Sequence, residues 1–222
     1  MQFSKLGLAA LLLAALPLVN RAQTAPAPGQ REPGLYMTFQ TDKGNIACKL
    51  FEKESPITVG KMVGLAIGKI SYIDPRTGQQ NRNKFFDGLT FHRVIPGFMI
   101  QGGDPLGNGT GSPKGPGFPY QNETSPGLTF NVPGRLAMAN AGPNTNASQF
   151  FITEVPYPSL NGGYTIWGQC ENPDVVKAIA RVQRDGQDKP ITPVHIQHVV
   201  VERVGPAPAN APEAMTSPAG KQ

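Results

Sequence analysis

Apolar and polar positions alternate with a period of two through much of the middle of the chain. "LYMTFQTDKGNIACKLF" (35–51) holds two such runs around Asp42-Lys43-Gly44, a turn whose glycine can take a positive φ, and predicts a β-hairpin. Shorter runs of strand type follow: "LTFHRV", "GFMIQ", "LTFNV", "RLAMAN", "SQFFIT", "YTIWGQ" and a final "PVHIQHVVVERV". Two stretches carry helical spacing instead. In "SPITVGKMVGLAIG", Ser55 is placed as N-cap and Pro56 as first helical residue, with Val59, Met62, Val63 and Ala66 on one face. "NPDVVKAIARV" repeats the device with Asn172, Pro173 and an early acid, Asp174, which suits the positive end of the helix dipole. Many short strands joined by glycine and proline turns predict a mainly β domain closed into a barrel, a form that leaves no edge exposed.

Composition agrees. The 222 residues include 26 glycines and 23 prolines, too many for a helical bundle, and a chain of this length suits one well-buried core. Residues 35–204 form the predicted domain. Ahead of it, 1–22 read as a signal peptide: Lys5, an apolar run from Leu6 to Val19 shorter than a membrane span and interrupted by Pro17, then Ala22 at a cleavage position. Residues 23–34 are a proline-rich linker, and 205–222 are a tail of small residues and proline expected to stay disordered. The expected location is therefore outside the cytoplasm, periplasmic or secreted. The formal charge of +5 falls to 5 − 2 = +3 without Lys5 and Arg21, with no basic block, so nucleic acid is not implied. Cys48 and Cys170 are too few for a disulfide framework; a single bridge and two buried thiols are both open.

Several chemistries find little support. His195 and His198 stand three apart in a strand, on opposite faces, and cannot share a metal. Ser148 lacks a nucleophile-elbow pattern and an acid-histidine partner. "GGDPLGNGTGSPKGPG" (102–117) lacks the spacing of a phosphate loop, and "ISYIDPRTGQQNRNKFFDG" (70–88) reads as a surface excursion. His92 should face away from Arg93 and hydrogen-bond inside the domain. "FHRVIPGFMIQGGD" (91–104) is different: it sets Arg93 among large apolar residues, where an unpaired charge is costly, and so reads as a site.

That stretch, with "NGTG" (108–111), "MANAGPNTNASQFF" (138–151) and "LNGGYTIWG" (160–168), resembles the signature segments of the cyclophilin-type peptidyl-prolyl cis/trans isomerases, in order, across nearly all of 35–204. The resemblance implies an eight-stranded antiparallel β-barrel capped by two α-helices. It implies Arg93 as the catalytic residue and an apolar pocket for the substrate proline made by Phe98, Met99, Phe151 and Leu160. It implies Gln101, Asn140 and Gln149 as groups that align the peptide, with Gly109, Ala139 and Ala141 beside the groove. Proline-containing polypeptides are then the partners, and no metal or other cofactor is needed; the family is usually monomeric. Two positions depart from well-known eukaryotic members: Ser159 stands where they have tryptophan, and Tyr164 where they have histidine. The tyrosine and the "DPRTGQQNRN" insertion resemble bacterial exported members. Loss of the tryptophan predicts weak cyclosporin binding. The rival readings are a peptide-binding chaperone on the same fold with little catalysis, and an extracytoplasmic hydrolase using Ser148 or His92.

Overall fold

The computed structural model describes residues 31–171 and 173–208; the expected signal peptide, most of the linker and all but the start of the tail lie outside the described residues. In chain order the elements are β1 (Gly34–Thr41), β2 (Gly44–Leu50), α1 (Pro56–Ala66), β3 (Tyr72–Ile73), β4 (Gln80–Asn81), β5 (Arg93–Ile95), β6 (Met99–Gly102), β7 (Arg135–Met138), β8 (Phe150–Thr153), a 3₁₀ turn (Pro158–Leu160), β9 (Ile166–Cys170), α2 (Pro173–Ala180) and β10 (Ile196–Val204). Eight strands form one antiparallel sheet in the order β10-β1-β2-β9-β7-β8-β6-β5. The hairpin is as expected, with Thr41 opposite Gly44 and Gly44 at φ 119°.

The sheet curls, but its two end strands do not share a ladder. Instead Thr90 bridges His195, with Phe91 N–H donating to Val194 O at 3.0 Å and Ile196 N–H to Leu89 O at 2.7 Å. The expected strand over 89–94 is regular only from Arg93, so the first half of that run meets the start of β10 through isolated bonds. Among the described residues no helix is long and apolar enough to cross a membrane.

Three further expectations change. Leu128–Val132 forms no strand: its apolar alternation comes from burial of Phe130 beneath the loop, where the Phe130 ring stacks on Phe151 at 5.8 Å and its N–H donates to Asn161 Oδ1. Ser55 stands at the N-cap position of α1, as expected, and its carbonyl accepts the Val59 N–H at 2.9 Å, but its side chain makes no capping bond. Its hydroxyl donates to Ile166 O at 2.8 Å, and the first helical N–H groups, from Ile57 and Thr58, go to the two oxygens of Glu123, far along the chain. The 70–88 excursion carries the β3–β4 ribbon and buries Tyr72, Phe85 and Phe86 in the main core.

Period-two geometry sorts the side chains of the sheet into two clusters. Phe39, Ile100, Leu136, Met138, Phe150 and Trp167 belong to the main core, where the Phe150 ring stacks on Phe39 at 4.8 Å and meets Phe86, Phe91 and Trp167 edge-on. Their chain neighbours Met99, Ala137, Phe151 and Ile166 form a second, smaller cluster with Phe98, Leu160 and Tyr164 packed against it. Cys48 lies opposite Cys170 in the β2–β9 pairing, and the two form a disulfide.

Candidate active site

The smaller cluster is the floor of a groove. Strand register sets its central row: Arg93 pairs with Gln101, Gln101 with Phe151, and Phe151 with Ala137. Residues paired across neighbouring antiparallel strands project on the same face, so β5, β6, β8 and β7 present a guanidinium, an amide, a phenyl ring and a methyl group side by side, each about 5 Å from the next.

Two hollows open along this row. One, of about 220 Å³, is lined by Arg93, Phe98, Met99, Gln101, Ala139, Asn140, Phe151, Leu160 and Tyr164. The next, of about 290 Å³, shares Gln101, Ala139 and Asn140 and adds Gly109, Ala141, Ala147, Gln149, Thr110, Ser112 and Thr145. The structure thus brings together every residue picked from the sequence for catalysis or substrate binding. Thr110, Ser112, Thr145 and Ala147 were not picked; they sit on loops with no hydrophobic period to mark them.

The first hollow is apolar at its base. Phe151 and Met99 are buried, the Tyr164 ring stands edge-on to Phe151 at 5.5 Å, and Tyr157 packs on Phe98 with centroids 4.4 Å apart. Ser159 is exposed on the 3₁₀ turn that delivers Leu160. The wall between the hollows is polar and cross-braced. Gln101 Nε2 donates to Gln149 Oε1 at 3.0 Å, and Gln149 Nε2 donates to the carbonyls of Gly109 and Gly111. The side chain of Asn140 is held by Gly163 O and the Gly142 N–H, while its main-chain N–H and C=O bond to no described residue. An extended peptide can pair with such a free backbone edge.

Arg93 is not buried among the large apolar residues that surround it in the sequence. Its side chain is 44% exposed and stands on the rim of the groove. The side-chain amide of Gln101, its strand partner, is committed to Gln149. The nearest carboxylate is Asp188, with Oδ2 3.8 Å from Arg93 Nε, and neither terminal nitrogen of the guanidinium hydrogen-bonds to a described residue.

The neighbouring features have structural roles. Ser148 is fully buried and its hydroxyl donates to Gly103 O at 2.7 Å. Gly103, at φ 82°, lies so near that a Cβ there would fall 2.3 Å from Ser148 O, so the backbones require glycine. The glycine-rich 102–117 loop turns N–H groups inward: buried Asp104 accepts from Leu106, Asn108 and Gly109, which seats Gly109 at the groove. His92 does face away from Arg93, but neither ring nitrogen has a partner among the described residues, against the expectation of internal hydrogen bonds. Burial pushes its pKa below the usual 6.5. His195 and His198 each bond to a different carboxylate, Asp42 and Asp87.

The fold is mainly β with two helices, and its groove joins an apolar floor to a polar, cross-braced wall. The sequence profile described as "Cyclophilin type peptidyl-prolyl cis-trans isomerase/CLD" matches residues 36–201, and the chain belongs to that family. It is similar to "Peptidyl-prolyl cis-trans isomerase B" of Streptomyces anulatus, 47% identical over 172 residues covering 76% of this chain and 97% of the other. It is also similar to "Peptidyl-prolyl cis-trans isomerase A" of Mycobacterium tuberculosis, 46% identical over 74% of this chain and 90% of that protein. A crystal structure of a Cryptosporidium parvum cyclophilin type isomerase in the presence of the dipeptide Ala-Pro matches with a TM-score of 0.66 at 30% identity, covering 76% of this chain and 99% of that one.

Proposed function

We propose that this protein accelerates cis/trans rotation about X-Pro bonds in polypeptides, with Arg93 as the catalytic residue. The observation that carries the reading is the row Arg93–Gln101–Phe151–Ala137, which sets a guanidinium with uncommitted terminal N–H groups at one end of an apolar floor. The barrier to X-Pro rotation, about 18–20 kcal/mol, arises because amide resonance is lost at the twisted transition state. As it is lost, the proline nitrogen regains a lone pair and becomes an acceptor. A guanidinium N–H donating there stabilises the twisted state far more than the planar one, which is the differential binding catalysis requires. Phe98, Met99, Phe151 and Leu160 hold the proline ring, Gln101, Gln149 and Asn140 align the flanking peptide, and Gly109, Ala139, Ala141 and Tyr164 wall the groove. The scheme forms no covalent bond and uses no cofactor. The Cryptosporidium relative was crystallised with Ala-Pro, an X-Pro unit of the kind this groove is proposed to take.

The clients on this reading are exported proteins, and the compartment is periplasmic or extracellular, with 1–22 removed as a signal peptide. The Cys48–Cys170 disulfide supports an oxidising location, where such bonds persist. An assay of a proline peptide, following isomerisation and cleavage together, tests the activity. Isomerisation without cleavage is expected. Binding alone would point to a chaperone on the same fold, and cleavage to a hydrolase.

A further inference from the structure

Arg93 is half exposed, and a long side chain on a rim samples many rotamers unless something holds it. No hydrogen bond from a described residue does so. What the structure offers is one carboxylate, and that carboxylate is itself firmly placed. Asp188 sits in a tight turn closed by Asp185, whose Oδ1 accepts the N–H groups of Gln187 and Lys189 and whose carbonyl accepts the Asp188 N–H. Asp188 adopts φ 64°, a left-handed conformation that aspartate tolerates better than most residues. Its carbonyl accepts the N–H of Val94 at 2.8 Å, tying the turn to β5 one residue from Arg93. Its Oδ1 accepts from Arg184 Nε at 3.1 Å, leaving Oδ2 toward Arg93 Nε.

We infer that Asp188 is a positioning residue for the isomerase reaction: it holds Arg93 by the inner nitrogen of its guanidinium and so leaves the outer N–H groups directed to substrate. This rests on the isomerase reading of the groove. Attachment through Nε is the arrangement that restrains the plane of the fork without consuming its donating end. The contact is a charge contact at 3.8 Å and partly solvated, so its effect on rate is modest and specific to Arg93.

The test is a double-mutant cycle. Asp188→Asn keeps the shape and the left-handed preference while removing the charge, and should lower kcat about 3–10-fold with KM changed less than about 2-fold. In an Arg93→Ala background the same change should cost less than about 1.5-fold. Arg184→Ala, which removes the other partner of Asp188 but leaves its charge facing Arg93, should lower kcat clearly less than Asp188→Asn does, whereas a purely structural role in the turn would make the two equally harmful. Full activity of Asp188→Asn, an equal loss in both backgrounds, or an equal loss from Arg184→Ala overturns the inference. A second measurement does not depend on activity: the ¹⁵Nε–H resonance of Arg93 should shift and its exchange with water quicken in Asp188→Asn, and an unmoved resonance also overturns it. If the parent protein fails to isomerise proline peptides, the isomerase reading falls, and the resonance alone decides whether Asp188 holds Arg93.

Discussion

Gln149 links the two hollows of the groove: it accepts from Gln101 on one side and donates to the carbonyls of Gly109 and Gly111 on the other. Replacing it with leucine, close in volume, unties three hydrogen bonds at once and leaves Gln101 and two loop carbonyls unpaired. At about 0.5–1.5 kcal/mol for each bond, Gln149→Leu should lower kcat/KM about 10–10³-fold, chiefly through KM, because peptide alignment serves ground and transition states alike. Steady-state kinetics across peptide concentrations would show it; an unchanged KM would mean that the second hollow does not touch the peptide.

Arg93 supplies the differential interaction. Arg93→Ala should reduce kcat/KM about 10²–10³-fold with circular dichroism and urea midpoint close to the parent's, since the side chain stands on the rim and carries no core packing. Arg93→Lys should recover little, an ammonium being a mobile point charge that cannot reproduce a planar fork. A folded Arg93→Ala protein at full rate would place the catalysis in the apolar floor.

Cyclosporin should bind weakly. Ser159 is exposed on the turn next to pocket residue Leu160, so the site offers neither an aromatic surface nor an indole N–H there. Ser159→Trp should raise affinity by at least tenfold in a calorimetric titration. Tight binding by the unaltered protein would show that position 159 is not where the inhibitor rests.

Stability should decline on mild acidification. Burial, partly opposed by Asp104 and reinforced by Lys189 and Arg93, depresses the pKa of His92, so the unfolded chain takes up a proton near pH 6.5 that the folded protein refuses. Stability from this group is complete above 6.5 and is lost as pH falls from there toward the folded value. The urea midpoint should therefore drop between pH 7.5 and 5.5, and His92→Leu should show a smaller drop. Equal drops in parent and variant would assign the effect elsewhere. A separate loss is expected below about pH 3.8 from Asp74, whose carboxyl the Arg76 guanidinium holds below its ordinary value.

Removing the disulfide should cost about 2–5 kcal/mol, because the bridge closes a loop of 122 residues in the unfolded chain. Urea unfolding of Cys48→Ala with Cys170→Ala measures it, and thiol titration of denatured, unreduced protein should find no free thiol.

Much of the fold was legible because a strand buried on one side announces itself by alternation, as in the 35–51 hairpin and in Phe150 and Phe151, whose neighbouring rings serve opposite faces. Where burial came from a loop, the same pattern misled: Phe130 is as buried as a strand residue yet lies in none. Arg93 was legible from its apolar setting, but Gln101 and Gln149 only as a resemblance, since no period connects the three; register brings Arg93 beside Gln101, and a side-chain hydrogen bond ties Gln149 to Gln101. The partners that fix the machinery were not legible at all. Glu123 caps a helix that begins 67 residues earlier, at Pro56, and Asp188 meets Arg93 across 95 positions, and neither short acidic residue looks different from a solvated one until the chain is folded.

The disulfide has one more consequence. Every residue of the groove from Arg93 to Tyr164 lies between Cys48 and Cys170, so the covalent structure that carries the site is a macrocycle with two flanking arms. A protease that cuts one loop within this ring, such as the exposed stretch at 76–80, opens the circle but releases no fragment. The nicked protein would remain one molecule until reduced, with the strands on both sides of the cut still joined through β2 and β9. In a compartment with active proteases, the bond protects against loss of the pieces more than against the cut itself.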